Sequence, residues 1–395
     1  VFICEIWGRK QNKKMKKIKD ANDFKMIATT TLGLEEVLAA ELLKLGAKNI
    51  EQHNRAVSFF GDEGFMYKAN LCLRTAIRVL KPITSGKAQN EHQLYDLIDS
   101  ISWDKFLDLN QTLAVTAALN TEYFNHSQYV AQKCKDAIVD QFRAKTGKRP
   151  SVDRENPDFS LYVYIYNDEV NIMLDSSGIP LYKRGYRVDT NLAPINESLA
   201  AGLILLSGWD GRLPLYDPMC GSGTILIEAA LISANVPPGY FRGSYGFKNW
   251  PDYDEDLYEK IYENVINKIN DNKPVLLGTD ISPHVLKKAK ENAVSANVNE
   301  MITFQKADFF ETNFGEEKKY TIIMNPPYGE RMNKDDIKAL YKTIGDTLKH
   351  KYKGSSAWII SSSIEGFKSV GLKTSRKISL YNGGLPCKYC KYEMY

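Results

Sequence analysis

From residue 195 onward, apolar runs too short to be helices alternate with segments of helical period. The order reads helix (about 195–207), strand LPLYD, helix (224–234), strand VLLGTD, helix (283–296), strand ITFQKAD, strand YTIIMN, helix (335–352) and strand SAWIISS. Strands separated by helices favour crossover connections, which leave the strands parallel and put helices on both faces of one sheet. Two further extended stretches, KTSRKISLYN and CKYCKYEMY, are joined by a glycine-containing turn and should add an antiparallel edge. The fold class expected for residues 189–395, after a linker near DTNLAPINE, is therefore α/β and doubly wound.

The first half is built differently. MIATTT (26–31) alternates like a strand, and Leu34, Val37, Leu38, Leu42 and Leu45 then recur at helical spacing until Gly46. AVSFF, FMYKANLCLRTA and IRVLKPIT continue as strand, helix and strand, giving a ferredoxin-like α+β unit over 24–86. The pattern restarts at Glu91 with a helix through Ile98, the strand TLAVTAAL and a helix from about Ser127 to Ala144. The strands LYVYIY and EVNIMLDSS complete a second unit over 87–188. Residues 1–23 read as a basic tail, because their apolar piece precedes the lysines, the reverse of a secretory signal.

Bulk properties narrow the class of partner only slightly. Hydrophobic and charged contents of 43% and 25% are those of a globular chain, and a net charge of +4 permits a nucleic-acid partner without demanding one. No apolar run reaches about eighteen residues, so no membrane helix is expected. Six scattered cysteines fit reduced thiols and a cytoplasmic location. Cys387 and Cys390 form a CxxC pair without two further ligands nearby, so no metal is expected.

Chemistry is expected where strands end. LYDPMCGSGT places Gly221, Ser222 and Gly223 between the first strand of the last domain and its helix, at the carboxyl edge where open α/β sheets bind ligands. Position 226 is Leu226, so the third glycine of a dinucleotide fingerprint is missing, and no GKS or GKT supports a phosphate loop. The second strand ends in Asp280, which can hold ribose hydroxyls or cap the helix that follows. The third ends in Asp308, an acceptor for an adenine amine or a turn residue. A nucleoside without phosphates, such as S-adenosylmethionine, fits this set, its methionine part against the glycine turn. Cys220 lies inside that turn and is expected to be an inert small residue rather than a nucleophile.

The fourth strand ends in Asn325, Pro326, Pro327 and Tyr328. An exocyclic amine on a base is a poor nucleophile because its lone pair is delocalised into the ring. Two acceptors that take both amine hydrogens draw the nitrogen toward a pyramidal geometry, and Asn325 Oδ1 with the Pro326 carbonyl can be those acceptors. The prolines fix the carbonyl's direction, and Tyr328 offers a ring on which an unstacked base rests. Two basic clusters complete the candidates. Arg143, Lys145, Lys148 and Arg149 follow the long helix that also carries Lys135, and Lys183, Arg184 and Arg187 lie in LYKRGYR. They are expected to contact RNA, with a solvated helix end as the bland reading.

These residues carry a family resemblance. NPPY at 325–328 resembles the motif of class I amino-group methyltransferases. DPMCGSGTILIEAAL, PPGYF, DAIVDQFRAKTGKRPSVD and LYKRGYR resemble the THUMP-domain RNA guanine-N2 methyltransferases of the RlmL-like type. The resemblance implies a ferredoxin-like piece, an RNA-gripping THUMP domain and a Rossmann-like, seven-stranded methyltransferase domain. It implies cofactor contacts at Pro194, Glu197, Asp217, Cys220, Gly221, Ser222, Gly223, Thr224, Asp280, Ile281 and Asp308, with S-adenosylmethionine as cofactor. It further implies RNA as partner, ribosomal RNA foremost, without membrane or obligatory protein partner. Adenine N6 or tRNA guanine N2 as the target, and a non-enzymatic role in ribosome assembly, stay open at this point. The aromatic and basic insert GYFRGSYGFKNW, between Gly223 and Asp280, is expected either to touch RNA or to pack over the sheet edge.

Overall fold

The computed structural model describes residues 22–188, 195–314, 318–328 and 333–395. The proposed tail and the expected cofactor residue Pro194 lie outside the described residues, apart from positions 22 and 23. The N-terminal elements are β1 (Phe24–Thr30), α1 (Glu35–Leu45), β2 (Lys48–His53), β3 (Ala56–Gly61), α2 (Glu63–Cys72) and β4 (Ala76–Lys87). There follow α3 (Glu91–Asp99), β5 (Thr112–Asn120), α4 (Ser127–Thr146), β6 (Ser151–Val152), β7 (Phe159–Tyr166) and β8 (Glu169–Asp175). Local chemistry sets their ends: Asp62 and Asn90 cap α2 and α3 with side-chain oxygens, and Gly46 and Gly147 close α1 and α4 in the left-handed region.

The two N-terminal units share one eight-stranded sheet in the order β2-β3-β1-β4-β8-β7-β5-β6. The join is β4, whose first half pairs with β1 and whose second half pairs with β8. Pro82 sits in this central strand because the register shifts there, so its missing N–H breaks no regular ladder. Strand β2 has no sequence signal, since as an edge strand exposed along nearly its whole length it carries no apolar alternation.

The last domain comprises α5 (Glu197–Ser207), β9 (Leu215–Asp217), α6 (Thr224–Ser233), α7 (Glu255–Ile266), β10 (Leu276–Asp280), α8 (Pro283–Ser295) and β11 (Ile302–Lys306). It ends with β12 (Thr321–Met324), α9 (Lys334–Lys351), β13 (Ser356–Ser361), α10 (Ile364–Ser369), β14 (Thr374–Asn382) and β15 (Leu385–Glu393). Its seven strands run β11-β10-β9-β12-β13-β15-β14, parallel from β11 to β13, with β15 antiparallel to both neighbours. Helices α5 and α6 are apolar almost all round and correspondingly buried. Cys387 and Cys390 join different hydrophobic clusters on opposite faces of β15, which no single ion can bridge. No metal-binding cluster occurs among the described residues.

The aromatic insert packs inward. Tyr245, Phe247 and Trp250 are buried, and Phe247 stacks on Tyr67 of α2 with ring centres 4.5 Å apart. Arg242 donates to the carbonyls of Ser177, Ile179, Pro180 and Lys183 at 2.9–3.2 Å. Of the two expectations for this loop, packing over the sheet edge describes Tyr245, Phe247 and Trp250, which fill the seam between the two sheets, while Tyr240 stands 38% exposed. The unforeseen helix α7 belongs to the same seam, with Leu257, Tyr258 and Ile261 on the N-terminal core.

Candidate active site

Strand β9 lies between β10 and β12, and the order of connection reverses there, which opens a crevice at the carboxyl ends. Asp217 ends β9, Asp280 ends β10, Asp308 follows β11 and Asn325 follows β12. The topology thus brings the four strand-end residues to one edge.

Backbone hydrogen bonds hold the glycine turn there. Cys220 N–H donates to the Thr279 carbonyl at 3.0 Å and Gly223 N–H to the Cys220 carbonyl at 2.8 Å. Asp280 accepts Gly221 N–H at 3.1 Å on one carboxylate oxygen and Ser282 N–H at 2.9 Å on the other. It therefore braces two turns and keeps lone pairs for hydroxyl donors, while Ser282 caps α8. Gly221 and Gly223 have φ of 52° and 79°, in the left-handed region. A Cβ on Gly223 would stand 2.9 Å from the Phe304 ring, whereas one on Gly221 would meet nothing within 4 Å. Gly221 thus borders open space, beside an α6 start that no side chain caps.

Charged groups around this turn are buried. Burial, with a smaller push from the neighbouring Asp280 charge, raises the Asp217 carboxyl to about 8. Burial likewise pushes the Cys220 thiol well up. Arg187 donates to Glu197 at 3.0 Å, and its Nη2 reaches the Ile195 carbonyl and Thr224 Oγ1, each at 3.3 Å. Its Nη1 is buried without a partner among the described residues. A guanidinium at a helix N-terminus puts two positive ends together, an arrangement that favours an anion between them. Asn292, a polar residue on the buried face of α8 that sequence reasoning missed, ties the site together. Its amide donates to the Ser222 carbonyl at 3.2 Å and its oxygen accepts Val188 N–H at 3.0 Å.

On the substrate side, Asn325 Oδ1 is a buried acceptor with no hydrogen-bond partner among the described residues. Such an atom is costly unless a donor arrives. Tyr328 packs partly buried, and its hydroxyl accepts from Asn382 Nδ2 at 2.9 Å, which ties the clamp to β14. Asp308 accepts Phe310 N–H at 2.8 Å as a turn residue, and Ile281 is an exposed apolar side chain beside Asp280. Carboxyl groups at 217 and 197, a cation and a helix start beside open space, and acceptors at 280 and 308 fit a nucleoside with an amino-acid end.

Three family descriptions match: RlmL ferredoxin-like domain over 25–80, THUMP domain over 88–175, and RMKL-like methyltransferase domain over 184–391. The chain belongs to the RMKL-like methyltransferase family. A Synechocystis protein bearing an RNA methyltransferase name is 38% identical over 370 residues, 93% of this chain and 96% of that one. The ribosomal RNA large subunit methyltransferase K/L of Syntrophotalea carbinolica is 34% identical over 382 residues, 94% of this chain but only 54% of its own length. A crystal structure of SMU.472, a protein bearing a methyltransferase name and complexed with SAH, superposes with a TM-score of 0.82 at 28% identity, covering 95% of this chain and 99% of that one.

The RMKL-like fold overturns two of the predicted RNA contacts. Arg184 is 1% exposed and bonds to Glu228, the Leu181 carbonyl and the Arg74 carbonyl, so it cannot reach RNA. Arg187 is turned inward to Glu197, the Ile195 carbonyl and Thr224 at the start of α6. Lys135 is mostly buried and paired with its neighbour Asp136, while Arg143, Lys145, Lys148, Arg149 and Lys183 stand exposed. Lys145 reaches Asp104 at 3.2 Å.

The Asp217 environment makes a pH prediction. A carboxyl raised above its ordinary value favours the neutral form in the fold, so stability is lost as pH rises from 3.8 toward 8. Asp217→Asn should therefore melt higher than the parent near pH ~9 and alike near pH ~4 by calorimetry. Equal melting at both values would remove the buried-acid account.

Proposed function

We propose that this RNA methyltransferase moves a methyl group from S-adenosylmethionine to the N2 amine of a guanine in large-subunit ribosomal RNA. The observation that carries the reading is the buried Asn325 Oδ1, without a partner among the described residues, at the edge that also holds the glycine turn. When bound, the cofactor supplies an electrophilic methyl group. Arg187 and the α6 start suit its carboxylate, Asp217 and Glu197 its ammonium, Asp280 its ribose, and Asp308 with Ile281 its adenine. Asn325 Oδ1 and the Pro326 carbonyl accept the amine hydrogens and orient the nitrogen lone pair, and the Tyr328 ring supports the base. Positioning of this kind supplies most of the rate in a direct transfer.

The test is labelled methyl transfer to unmodified large-subunit RNA followed by nucleoside analysis. N2-methylguanosine is expected; N6-methyladenosine would transfer the same clamp to adenine, and label in tRNA alone would move the substrate. Exposed Lys148 and Arg149, just past α4, are proposed to hold phosphates. Changing both to Ala should lower the slope of log affinity against log salt by roughly 1.5 while sparing cofactor binding. An unchanged slope would place the phosphate contacts elsewhere.

A further inference from the structure

Strand β7 carries Tyr162, Tyr164 and Tyr166 at alternate positions, which puts all three on one face of the eight-stranded sheet. The opposite face, with Leu161, Val163 and Ile165, joins the core into which α4 inserts Val130, Cys134 and Ile138. On the tyrosine face the cross-strand neighbours in β5 are small, with Thr116 opposite Tyr162 and Ala118 opposite Tyr164. Tyr166 is 48% exposed, the other two are half-buried, and none of the three hydroxyls has a hydrogen-bond partner among the described residues.

The same face continues into a cleft of about 160 Å³ lined by Ala114, Thr116, Ser160, Arg154 and Lys183, with Glu155 on its wall. Arg154 and Lys183 are exposed, while Arg78 at the base is neutralised by Asp175. Lys183 lies four residues before Arg187, which touches the α6 start. The backbone at Lys183, on the cleft, is therefore at most roughly 14 Å from that at Arg187.

We infer that this face is a stacking platform for a single-stranded RNA segment, its bases on Tyr162, Tyr164 and Tyr166 and its phosphates at Arg154 and Lys183. The inference rests on the RNA-methyltransferase reading and names a surface distinct from the end of α4. Rings at alternate strand positions stand about 6.6 Å apart, close to two base-stacking intervals of about 3.4 Å, so a base can lie between neighbouring rings. Stacking needs only a ring and tolerates any sequence. The two cations sit where a backbone would leave the row toward the active edge. Single-stranded RNA satisfies aromatic and basic parts together; a duplex hides its base faces.

The experiment uses the full chain and a single-stranded RNA of mixed sequence, with fluorescence anisotropy at two salt concentrations. Tyr164→Leu with Tyr166→Leu should weaken binding roughly 10- to 100-fold at both salts. Tyr164→Phe with Tyr166→Phe should bind as the parent does. Arg154→Ala with Lys183→Ala should instead flatten the salt dependence. Unchanged affinity in the leucine variant overturns the inference, as does equal weakening by leucine and phenylalanine. A second copy of the chain on this face would appear as a dimer lost in the leucine variant with RNA affinity unchanged, and also overturns it. Should the leucine variant melt early, crosslinking of 4-thiouridine RNA to the parent decides: crosslinks within 159–166 support the platform, and crosslinks only elsewhere sink it. Cofactor binding and labelled methyl transfer, measured separately, report on the enzymatic reading, so either can fail without the other.

Discussion

Asn325→Ala should lower methyl transfer by roughly 100- to 1000-fold, the loss expected when one preorganised polar contact to the reacting group is removed. The side chain follows the last residue of β12, a strand held between β9 and β13, so its position is set by the sheet rather than by a loose loop. Its Oδ1 is buried and has no partner among the described residues, a cost to the protein alone that an arriving amine would offset. The alanine variant should therefore be at least as stable as the parent and should bind S-adenosylhomocysteine within about twofold of it, since that contact is made to the substrate. The loss should fall on kcat rather than on KM for RNA. Asn325→Asp tests the same point, because the acid keeps an acceptor at Oδ1 and should retain more activity than alanine. Near-parental turnover in the alanine variant, or loss of cofactor binding in step with turnover, would remove Asn325 from the transfer step.

What could be read beforehand was whatever leaves a local trace. Strand ends marked by Asp217, Asp280, Asp308 and Asn325 were legible because a parallel sheet collects its carboxyl ends at one edge. The two glycines of the turn were legible from their spacing, although only the structure distinguishes Gly223, pressed on Phe304, from Gly221, facing open space. The closing hairpin was legible, but its insertion of β15 between β13 and β14 was not, because pairing order is a tertiary property. Charge was the poorest guide. Lys183 and Arg184 are adjacent, yet one is exposed and the other buried, and the difference is made by an acid 44 residues away. Its signal was present: Glu228 is the sole charged residue of TILIEAALIS, and a lone acid on an otherwise apolar helix demands a buried partner.

That partner explains the second large effect expected. Glu228 is fully buried, takes Arg184 Nε and Nη2 at 3.4 Å each, and accepts the Tyr186 hydroxyl at 3.1 Å. Arg184 in turn donates to the Arg74 carbonyl at 2.7 Å, and Arg74 reaches the Val236 carbonyl at 2.6 Å beyond α6. One acid thus connects the ferredoxin-like unit, the segment leading to the site and the helix that begins at the glycine turn. Glu228→Ala leaves a guanidinium buried without its counter-charge, which costs about 3–5 kcal/mol and should lower the apparent melting temperature by roughly 5–10 °C. The reverse change, Arg184→Met, strands the carboxylate and should cost about as much. Replacing both by methionine removes the desolvated charges together and fills their volume, so most of the loss should return, since buried pairs often exchange for apolar side chains at little cost. A double-mutant cycle of Glu228→Met, Arg184→Met and the two together, in thermal melts, measures the coupling. Single substitutions that cost less than about 1 kcal/mol, or a double variant as unstable as the sum of the singles, would show that the pair does not hold the segment in place.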